Sequence, residues 1–338
     1  MTVRSFLLRR LVLVVPILLG ITFLTFMLVR IGEQDPVAML GGPMADEASL
    51  ASIEAELGLD RPFFVQFGIY LGNLVQGDLG DSWQSSERVA DEIRNRLPAS
   101  LELLILSVLL GSLVGVPVGL RSAQRPNGLF DQVSRFVSLL GFSVPTYWIA
   151  LMAIFVFFFL LQWAPAPLGR LDIAAFPPPD VTGSYLIDSL ISGNWSTAYS
   201  AASQLALPVI LFSIIVAAPI IKHTRAISLE VLASDYVRYA KAQGLRPRTV
   251  RRIALRNSIT PILTFIGTEL TGLLAAVSLI ELIFAWGGMG QWGLNAILLG
   301  DFAAVQGYVL VLAVFSVAVF IVIDLLVLLL EPRASLRA

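Results

Sequence analysis

Residues 230–261 read EVLASDYVRYAKAQGLRPRTVRRIALRNSITP and separate two long apolar runs, residues 206–221 and 262–284. The stretch is rich in arginine, whereas the runs on either side carry almost no charge. Basic residues next to membrane-spanning helices belong on the cytoplasmic side of the membrane. The pattern is too regular for a topological anchor alone, so the sequence predicts a surface to which a cytoplasmic partner binds.

The composition of the whole chain is that of an integral membrane protein. Of its 338 residues 57% are hydrophobic and 14% are charged, and the mean hydropathy is +0.81, which lies outside the range of soluble domains. The absence of cysteine excludes disulfide bonds and thiolate metal sites. The single histidine, His223, cannot supply an H-E-x-x-H metal site.

Six apolar stretches approach the roughly 20 residues that a membrane-spanning helix requires. The predicted fold class is therefore all-α, a polytopic membrane protein with six transmembrane helices. The stretches are residues 11–29, 101–120, 136–161, 206–221, 262–284 and 305–330. The first is longer than the apolar core of a signal peptide and no A-x-A cleavage site follows it, so we expect it to be retained.

The distribution of lysine and arginine predicts the orientation of these spans. With the N-terminus inside, 17 of the 23 basic residues lie in the inner segments. Four of the other six lie in a long outer loop, to which the positive-inside rule gives little weight. Both termini are therefore expected in the cytoplasm.

The spans predict three regions. These are a cytoplasmic N-terminus with the first span (1–30), an outer segment (31–98) and a five-helix core (99–338) that contains the inner stretch 222–261. The outer segment is acidic and has helical periodicity over 48–57 and 63–75. In a second outer segment, 162–204, residues 185–199 suggest a helix at the membrane interface, and the role that the pattern favours for it is a structural spacer. The inner loop 121–135 has no distinctive pattern.

Within the basic stretch, residues 235–243 predict a short helix. Gly244 follows as a C-terminal stop, because glycine accepts the left-handed backbone that ends helices, and Pro247 suits the first turn of a second helix. A short helix between two spans would move with them when a partner pushes on it. A positively charged loop bound to anionic headgroups is the alternative that the pattern leaves open.

The basic stretch resembles the EAA loop, the cytoplasmic motif of ABC importer permeases, in the version found in dipeptide, oligopeptide and nickel importers. The matching residues of the predicted coupling helix and its surroundings are Glu230, Asp235, Tyr236, Val237, Arg238, Ala240, Lys241, Ala242, Gly244 and Leu245. Arg256, Asn257 and Pro261 also match. The stretch departs from the family at Tyr239, Gln243 and Ile253, where threonine, lysine and histidine are usual.

The resemblance extends over nearly the whole chain. Further matches are Gly58 to Pro62, Gly77 to Gly80, Ser82, Arg96 to Pro98, Ser143, Pro145, Glu281, Phe284, Gly287 to Gly290, Asp301, Gln306, Asp324, Pro332 and Arg333. Leu328 and Glu331 depart from the terminal motif, in which tyrosine and aspartate are usual. The motifs of the first outer segment favour the first of the two permease subunits of this family.

The resemblance implies the architecture of a type I ABC importer permease in the cytoplasmic (inner) membrane of a bacterium or archaeon. It implies a second homologous permease, two cytoplasmic ATPases that bind ATP and Mg²⁺, an extracytoplasmic substrate-binding protein and membrane lipid as partners, with no nucleic acid. It implies no cofactor in this chain. Peptides are the implied cargo, with oligosaccharides, opines or nickel chelates as alternatives.

The sequence agrees with this division of labour. It contains no G-x-x-x-x-G-K-[ST] motif, and its two lysines, Lys222 and Lys241, follow isoleucine and alanine rather than glycine. We therefore predict that the chain is not an enzyme and that ATP hydrolysis belongs to another subunit.

Two further places are candidates for the translocation path or its gate. Glu269 lies within the fifth predicted span, where an ionisable residue is by default a functional candidate, although a structural carboxylate fits equally well. Gly287, Gly288 and Gly290, with Trp286 and Trp292, predict a tight outer turn with interfacial aromatic residues. The resemblance implies a gate-like element there. Glu281 and Asp324 are expected to stabilise helix ends and contacts.

Two other functions compete with this interpretation. An ion-coupled secondary transporter would use a membrane carboxylate such as Glu269, but it has no need of a stiff cytoplasmic surface. An intramembrane serine hydrolase would have only His223 as its base, and this residue lies at the cytoplasmic boundary.

Overall fold

Helices form the framework of the protein. The computed structural model describes residues 3–31, 46–56 and 60–330, and these ranges contain no strand beyond an isolated bridge between Asp81 and Arg88. The predicted all-α fold is confirmed. The helices are α1 (Val3–Ile31), α2 (Glu47–Glu56), α3 (Phe63–Val75), α4 (Val89–Gln124), α5 (Leu129–Ser143), α6 (Thr146–Ala153, continued as a π-helix over Ile154–Leu160), α7 (Tyr185–Ile191), α8 (Trp195–Ala233), α9 (Asp235–Ala242), α10 (Pro247–Ile283), α11 (Met289–Leu299) and α12 (Phe302–Leu330).

Five of these helices are long and apolar enough to cross a membrane, namely α1, α4, α8, α10 and α12. They coincide with five of the six predicted spans. However, α4, α8 and α10 contain 36, 39 and 37 residues and extend well past the apolar stretches. The apolar pattern marks the membrane-embedded part of each helix, whereas the helical hydrogen bonds continue through polar turns beyond it.

The remaining predicted span, residues 136–161, is not one straight helix. α5 and α6 with its π-helical extension meet at 98° and form a bent pair that could serve as one span. Val144, at the bend, has extended backbone with φ −88° and ψ 128°. Pro145 causes the break, because proline disfavours helical backbone in the residue before it. The prediction of an uninterrupted helix is therefore wrong at this point.

The most extensive helix packing among the described residues lies between α4 and α8. Gly111, Gly115 and Gly119 follow one face of α4, and α8 covers them so closely that a Cβ at Gly115 would lie 2.9 Å from Ile220 Cγ2. Small residues spaced four apart let two helix backbones approach within a membrane. The seam fixes α8, whose C-terminal end leads into α9.

The C-terminal half of α1 holds α3 through aromatic contacts. Phe26 lies against Phe63, Phe67 and Tyr70, with ring centroids 5.2 to 5.4 Å apart, and the Arg30 guanidinium lies 3.7 Å above the Phe26 ring. Helix α3 has the predicted bounds. Helix α2 begins one residue before the predicted 48–57, and Leu57 lies outside the described residues.

The second outer segment contains two helices where one was predicted over 185–199. α7 ends at Ile191 and α8 begins at Trp195. Gly193 has a φ of +70°, a left-handed conformation that ends a helix, and the Asn194 side chain accepts a hydrogen bond from Thr197 N at 3.2 Å to start the next. The prediction of a single helix is wrong. It rested on the aromatic residues of this segment and overlooked Gly193, which ends one helix, and Asn194, which caps the next.

A buried carboxylate organises the start of α7. Asp188 accepts hydrogen bonds from the backbone N–H groups of Val181, Thr182 and Gly183 and from the Thr182 hydroxyl. Burial raises its pKa, but these four donors outweigh burial and leave the pKa below the ordinary value of 3.8. Asp188 therefore stabilises the outer segment in its ionised form.

Candidate functional site

The short helix predicted in the basic stretch is α9, and it is attached tightly at both ends. A single residue, Ser234, separates it from α8, and four residues separate it from α10. At its C-terminus Gly244 N donates to Lys241 O at 3.0 Å and Leu245 N donates to Ala240 O at 3.3 Å. This pair of bonds, with Gly244 at φ +73°, is a Schellman motif. The predicted roles of Gly244 and of Pro247, the first residue of α10, are confirmed.

The inner face of α9 is apolar and buried. Val237 and Ala240, 0% and 6% exposed, pack with Val250 and Ala254 of α10. Val231 and Leu232 of α8 complete this cluster. Full burial of a valine side chain is worth roughly 1.5 to 3 kcal/mol. Because the cluster joins α9 to both neighbouring helices, a displacement of α9 would carry α8 and α10 with it.

The outer face of α9 is exposed and mainly polar. Tyr236 and Tyr239 are 44% and 65% exposed, and Tyr239 accepts a hydrogen bond from Gln243 Nε2 at 2.7 Å. Arg238 pairs with Asp235 one turn earlier, an exposed contact that contributes little to stability. The face thus offers two aromatic rings and two basic residues, Arg238 and Lys241, to a partner.

The predicted docking residues fall on these two faces. Asp235, Tyr236, Arg238, Lys241 and Ala242 lie on the exposed side, with exposed Gly244 and Leu245 just after it, whereas Val237 and Ala240 form the buried side. Glu230 is exposed in the last turn of α8, before α9 begins. The stretch therefore combines an exposed polar surface with a buried apolar side that packs α9 against α8 and α10.

A buried ion pair between α5 and α8, about two turns before the end of α8, was not predicted. Asp131 of α5 is 0% exposed and accepts two hydrogen bonds from the Arg225 guanidinium of α8, the one from Nη2 at 2.8 Å. It also accepts from the Ser122 hydroxyl of α4 and from Asn127 N. The inner loop 121–135, in which the sequence showed no distinctive pattern, thus joins three helices. The available signal was a lone aspartate among the arginines of this loop.

The outer turn after α10 is a packed structure. Gly287 has a φ of +69°, and a Cβ at Gly288 or Gly290 would collide with the side chain of Glu281 or Ser278. Glu281 is 0% exposed and accepts a hydrogen bond from Gln291 N at 2.8 Å. The predicted tight turn is confirmed, and Glu281 contacts it; its stabilising role stays a prediction.

The prediction that Trp286 and Trp292 are interfacial aromatic residues is wrong. They are only 2% and 6% exposed, and the Trp286 indole N–H donates to Ala99 O of α4 at 3.1 Å. A tryptophan next to a glycine turn can lie either at the membrane interface or in the protein core. Here the buried hydrogen bond to α4 holds Trp286 in the core.

Glu269 lies far along α10 from this turn, so the structure does not bring these path candidates together. It is half-buried and forms no hydrogen bond or ion pair with any residue that the structure describes. Thr264 and Thr268 are exposed one turn apart on the same helix, but at 100° per residue Glu269 lies about 120° around the helix from the centre of the face that they share. The two threonines give α10 a polar face at the level of Glu269 along the helix.

Residues of the first outer segment that matched the family meet the start of α12. The Ser82 hydroxyl donates to Asp301 Oδ2 at 2.5 Å, and Asp301 also caps α12 by accepting from Ala304 N at 3.1 Å. Gly58 and Leu59, and likewise Pro332 and Arg333, lie outside the described residues. In the ranges 3–31, 46–56 and 60–330 no group of three or more potential metal ligands occurs.

Several long apolar helices, a bent pair of helices and a short polar helix between two spans define a multi-pass membrane protein. Residues 115–336 match the family described as binding-protein-dependent transport system inner membrane component, and residues 3–104 match its N-terminal companion. The chain belongs to this family of ABC transporter permeases.

Curated relatives match the chain over nearly its whole length. It is 40% identical to the di/tripeptide transport system permease protein of Pseudomonas aeruginosa, with 97% of this chain and 98% of the relative covered. It is 36% identical to the dipeptide transport system permease protein of Alkalihalophilus pseudofirmus, with the same coverage. It is 37% identical to the probable D,D-dipeptide transport system permease protein of Escherichia coli, with 98% of each chain covered.

Proposed function

We propose that this chain is the first of two permease subunits of an ATP-driven importer of di- or oligopeptides. The rigid, exposed helix α9 carries the proposal, because it is packed against both neighbouring spans while its outer face is free. Two cytoplasmic ATPases dock on the coupling helices of the two permeases, this chain supplying α9 and its homologue the other. ATP and Mg²⁺ bind to the ATPases, since this chain has no Walker A lysine.

The positive-inside distribution of lysine and arginine supports an orientation with both termini in the cytoplasm. In that orientation α9 faces the ATPases, and the turn at Gly287, Gly288 and Gly290 faces the extracytoplasmic binding protein. The turn, together with the polar face of α10 near Glu269, is the proposed gate and path. Because the turn packs against the buried side chain of Glu281, the turn and the end of α10 would move together as one gate.

Peptide cargo is supported by the printed names of relatives that share the whole length of the chain. Uptake of labelled dipeptide into proteoliposomes that contain both permeases and the ATPases, with binding protein and ATP, tests it. We expect saturable dipeptide uptake. Uptake of an oligosaccharide, an opine or a nickel chelate in its place would contradict the peptide assignment.

The docking role is tested by Tyr236→Ala in the same vesicles. The change removes an exposed ring and leaves the buried cluster of α9 intact, so we expect ATPase affinity to fall about tenfold, a typical loss for an aromatic anchor at an interface, and uptake to fall with it. Tyr199→Ala, which removes a 78% exposed ring from the opposite end of α8, is the matched control. Equal uptake by the two variants would refute the dock.

A further inference from the structure

A pocket of about 420 Å³ lies beside the proposed dock, between the inner ends of three spanning helices. Leu120 of α4, Leu232 of α8 and Leu255 of α10 form an apolar part of its wall. Gln124 and Ser228 add polar groups. A mixed lining of this kind suits a ligand with one polar end and one apolar end.

Three arginines of α10 line the same pocket. Arg248, Arg251 and Arg252 are spaced three and four residues apart, so they share one face of the helix. None of them forms an ion pair or hydrogen bond within the part of the chain that the structure describes. Like charges on one helix face repel, and the positive end of the α10 macrodipole adds to the same field. The arrangement favours an anion.

A buried hydroxyl provides an independent indication. Ser228 is 4% exposed and lines the pocket, and its Oγ has no hydrogen-bond partner among the described residues. Buried polar groups in folded proteins nearly always have a partner. A ligand oxygen in the pocket would supply the missing acceptor.

We propose that this pocket binds the phosphate group of an anionic phospholipid from the cytoplasmic leaflet. The guanidinium forks match phosphate oxygens bidentately, Ser228 donates to a further oxygen, and the leucines contact the glycerol and the first acyl carbons. The choice of leaflet rests on the proposed function, which places residues 222–261 in the cytoplasm. A free phosphate shares the headgroup chemistry but has nothing to place against the leucines.

The basic stretch then serves two ligands. The exposed face of α9 receives the ATPase, whereas the start of α10 holds a lipid against α4 and α8. Both helices contribute to the cluster of Val237, Ala240, Val250 and Ala254, so the bound lipid fixes the base on which α9 rests.

The test compares lipid retention by the purified, delipidated transporter, titrated with phosphatidylglycerol or with inorganic phosphate and read by native mass spectrometry. We expect Arg251→Gln with Arg252→Gln to weaken phosphatidylglycerol binding about tenfold or more. The matched control is Arg125→Gln with Arg246→Gln, which removes the same charge from exposed residues outside the pocket. It should bind as the unmodified protein does.

A second variant separates binding from folding. Because the Ser228 hydroxyl has no partner among the described residues, Ser228→Ala should leave the thermal unfolding temperature unchanged without lipid and lower phosphatidylglycerol affinity a few-fold. Equal losses in the two double variants would overturn the site. Inorganic phosphate binding as tightly as lipid would assign the pocket to a soluble anion and overturn the lipid.

The double variant at Arg251 and Arg252 could instead lose the ATPase and retain lipid unchanged. That result would also overturn the proposal, because it would show that the arginines bind acidic residues of the ATPase. The dock and the lipid site can fail separately. Tyr236→Ala should leave lipid retention intact, and the lipid titration requires no transport.

Discussion

At the scale of a single residue, Gly244 sets the end of α9. Its φ of +73° is a left-handed conformation that most side chains reach only at a cost, although asparagine and aspartate adopt it more readily. A Cβ at this position would meet no heavy atom within 4 Å. A substitution therefore acts through backbone strain or through what it adds to the docking surface, and these two effects can be separated.

We predict that Gly244→Asp abolishes uptake and the coupling of ATP hydrolysis to transport while the permease still inserts in the membrane. The new carboxylate places a negative charge in the surface whose basic residues we propose as the contact with the partner. Gly244→Asn has the same tolerance for left-handed backbone without the charge, and it should keep most of the uptake. Normal uptake by the aspartate variant, measured at equal membrane abundance, would contradict the docking role.

The sequence predicted the residues of α9 because their spacing, the glycine stop and the proline start are all local signals. It did not predict the bond between Asp131 and Arg225, whose partners are 94 residues apart. Removal of the arginine from such a buried pair strongly destabilises the folded protein. Even so, the sequence around either residue gives no indication of its partner. Pairings of this kind depend on how the helices pack.

At the scale of the element, the seam between α4 and α8 fixes the helix that leads into α9, the proposed dock. Its three glycines form a G-x-x-x-G-x-x-x-G pattern that the span prediction passed over, because glycine adds little to hydropathy. The same span prediction missed the bend at Pro145, since the apolar content of residues 136–161 is continuous. Apolar length thus identifies the spans, but small residues and prolines decide how they pack and where they break.

We predict that Gly115→Leu separates α4 from α8. The Cβ alone would lie 2.9 Å from Ile220 Cγ2 and 3.3 Å from Ala217 O, so the larger side chain requires a backbone shift at a cost of about 3 kcal/mol. The expected result is a lower thermal unfolding temperature of the detergent-purified complex. Gly20→Leu is the matched control, since a Cβ there meets nothing within 4 Å. Equal unfolding temperatures in the two variants would refute the importance of the seam.

At the scale of the whole molecule, the chain provides membrane spans, and the proposed function assigns it a gate and a dock and leaves ATP hydrolysis to another subunit. The outer segment is tied to the spans by Ser82 with Asp301, and the outer turn is tied to α4 by Trp286 with Ala99. At the opposite end α9 is tied to α8 and α10 through its buried face. A movement that enters at α9 can therefore reach α10 and, along it, the polar face near Glu269 and the turn at Gly287.

The most direct measurement of this account uses the absence of cysteine from the chain. A single cysteine is introduced as Tyr239→Cys on the exposed face of α9, labelled with a maleimide photo-crosslinker in the assembled transporter, and the cross-linked subunit is identified by mass spectrometry. Tyr199→Cys, at the outer end of α8, is the control. The account predicts that Tyr239→Cys captures the ATPase and that Tyr199→Cys does not. Capture of the ATPase from Tyr199→Cys, or its absence from Tyr239→Cys, would contradict α9 as the dock.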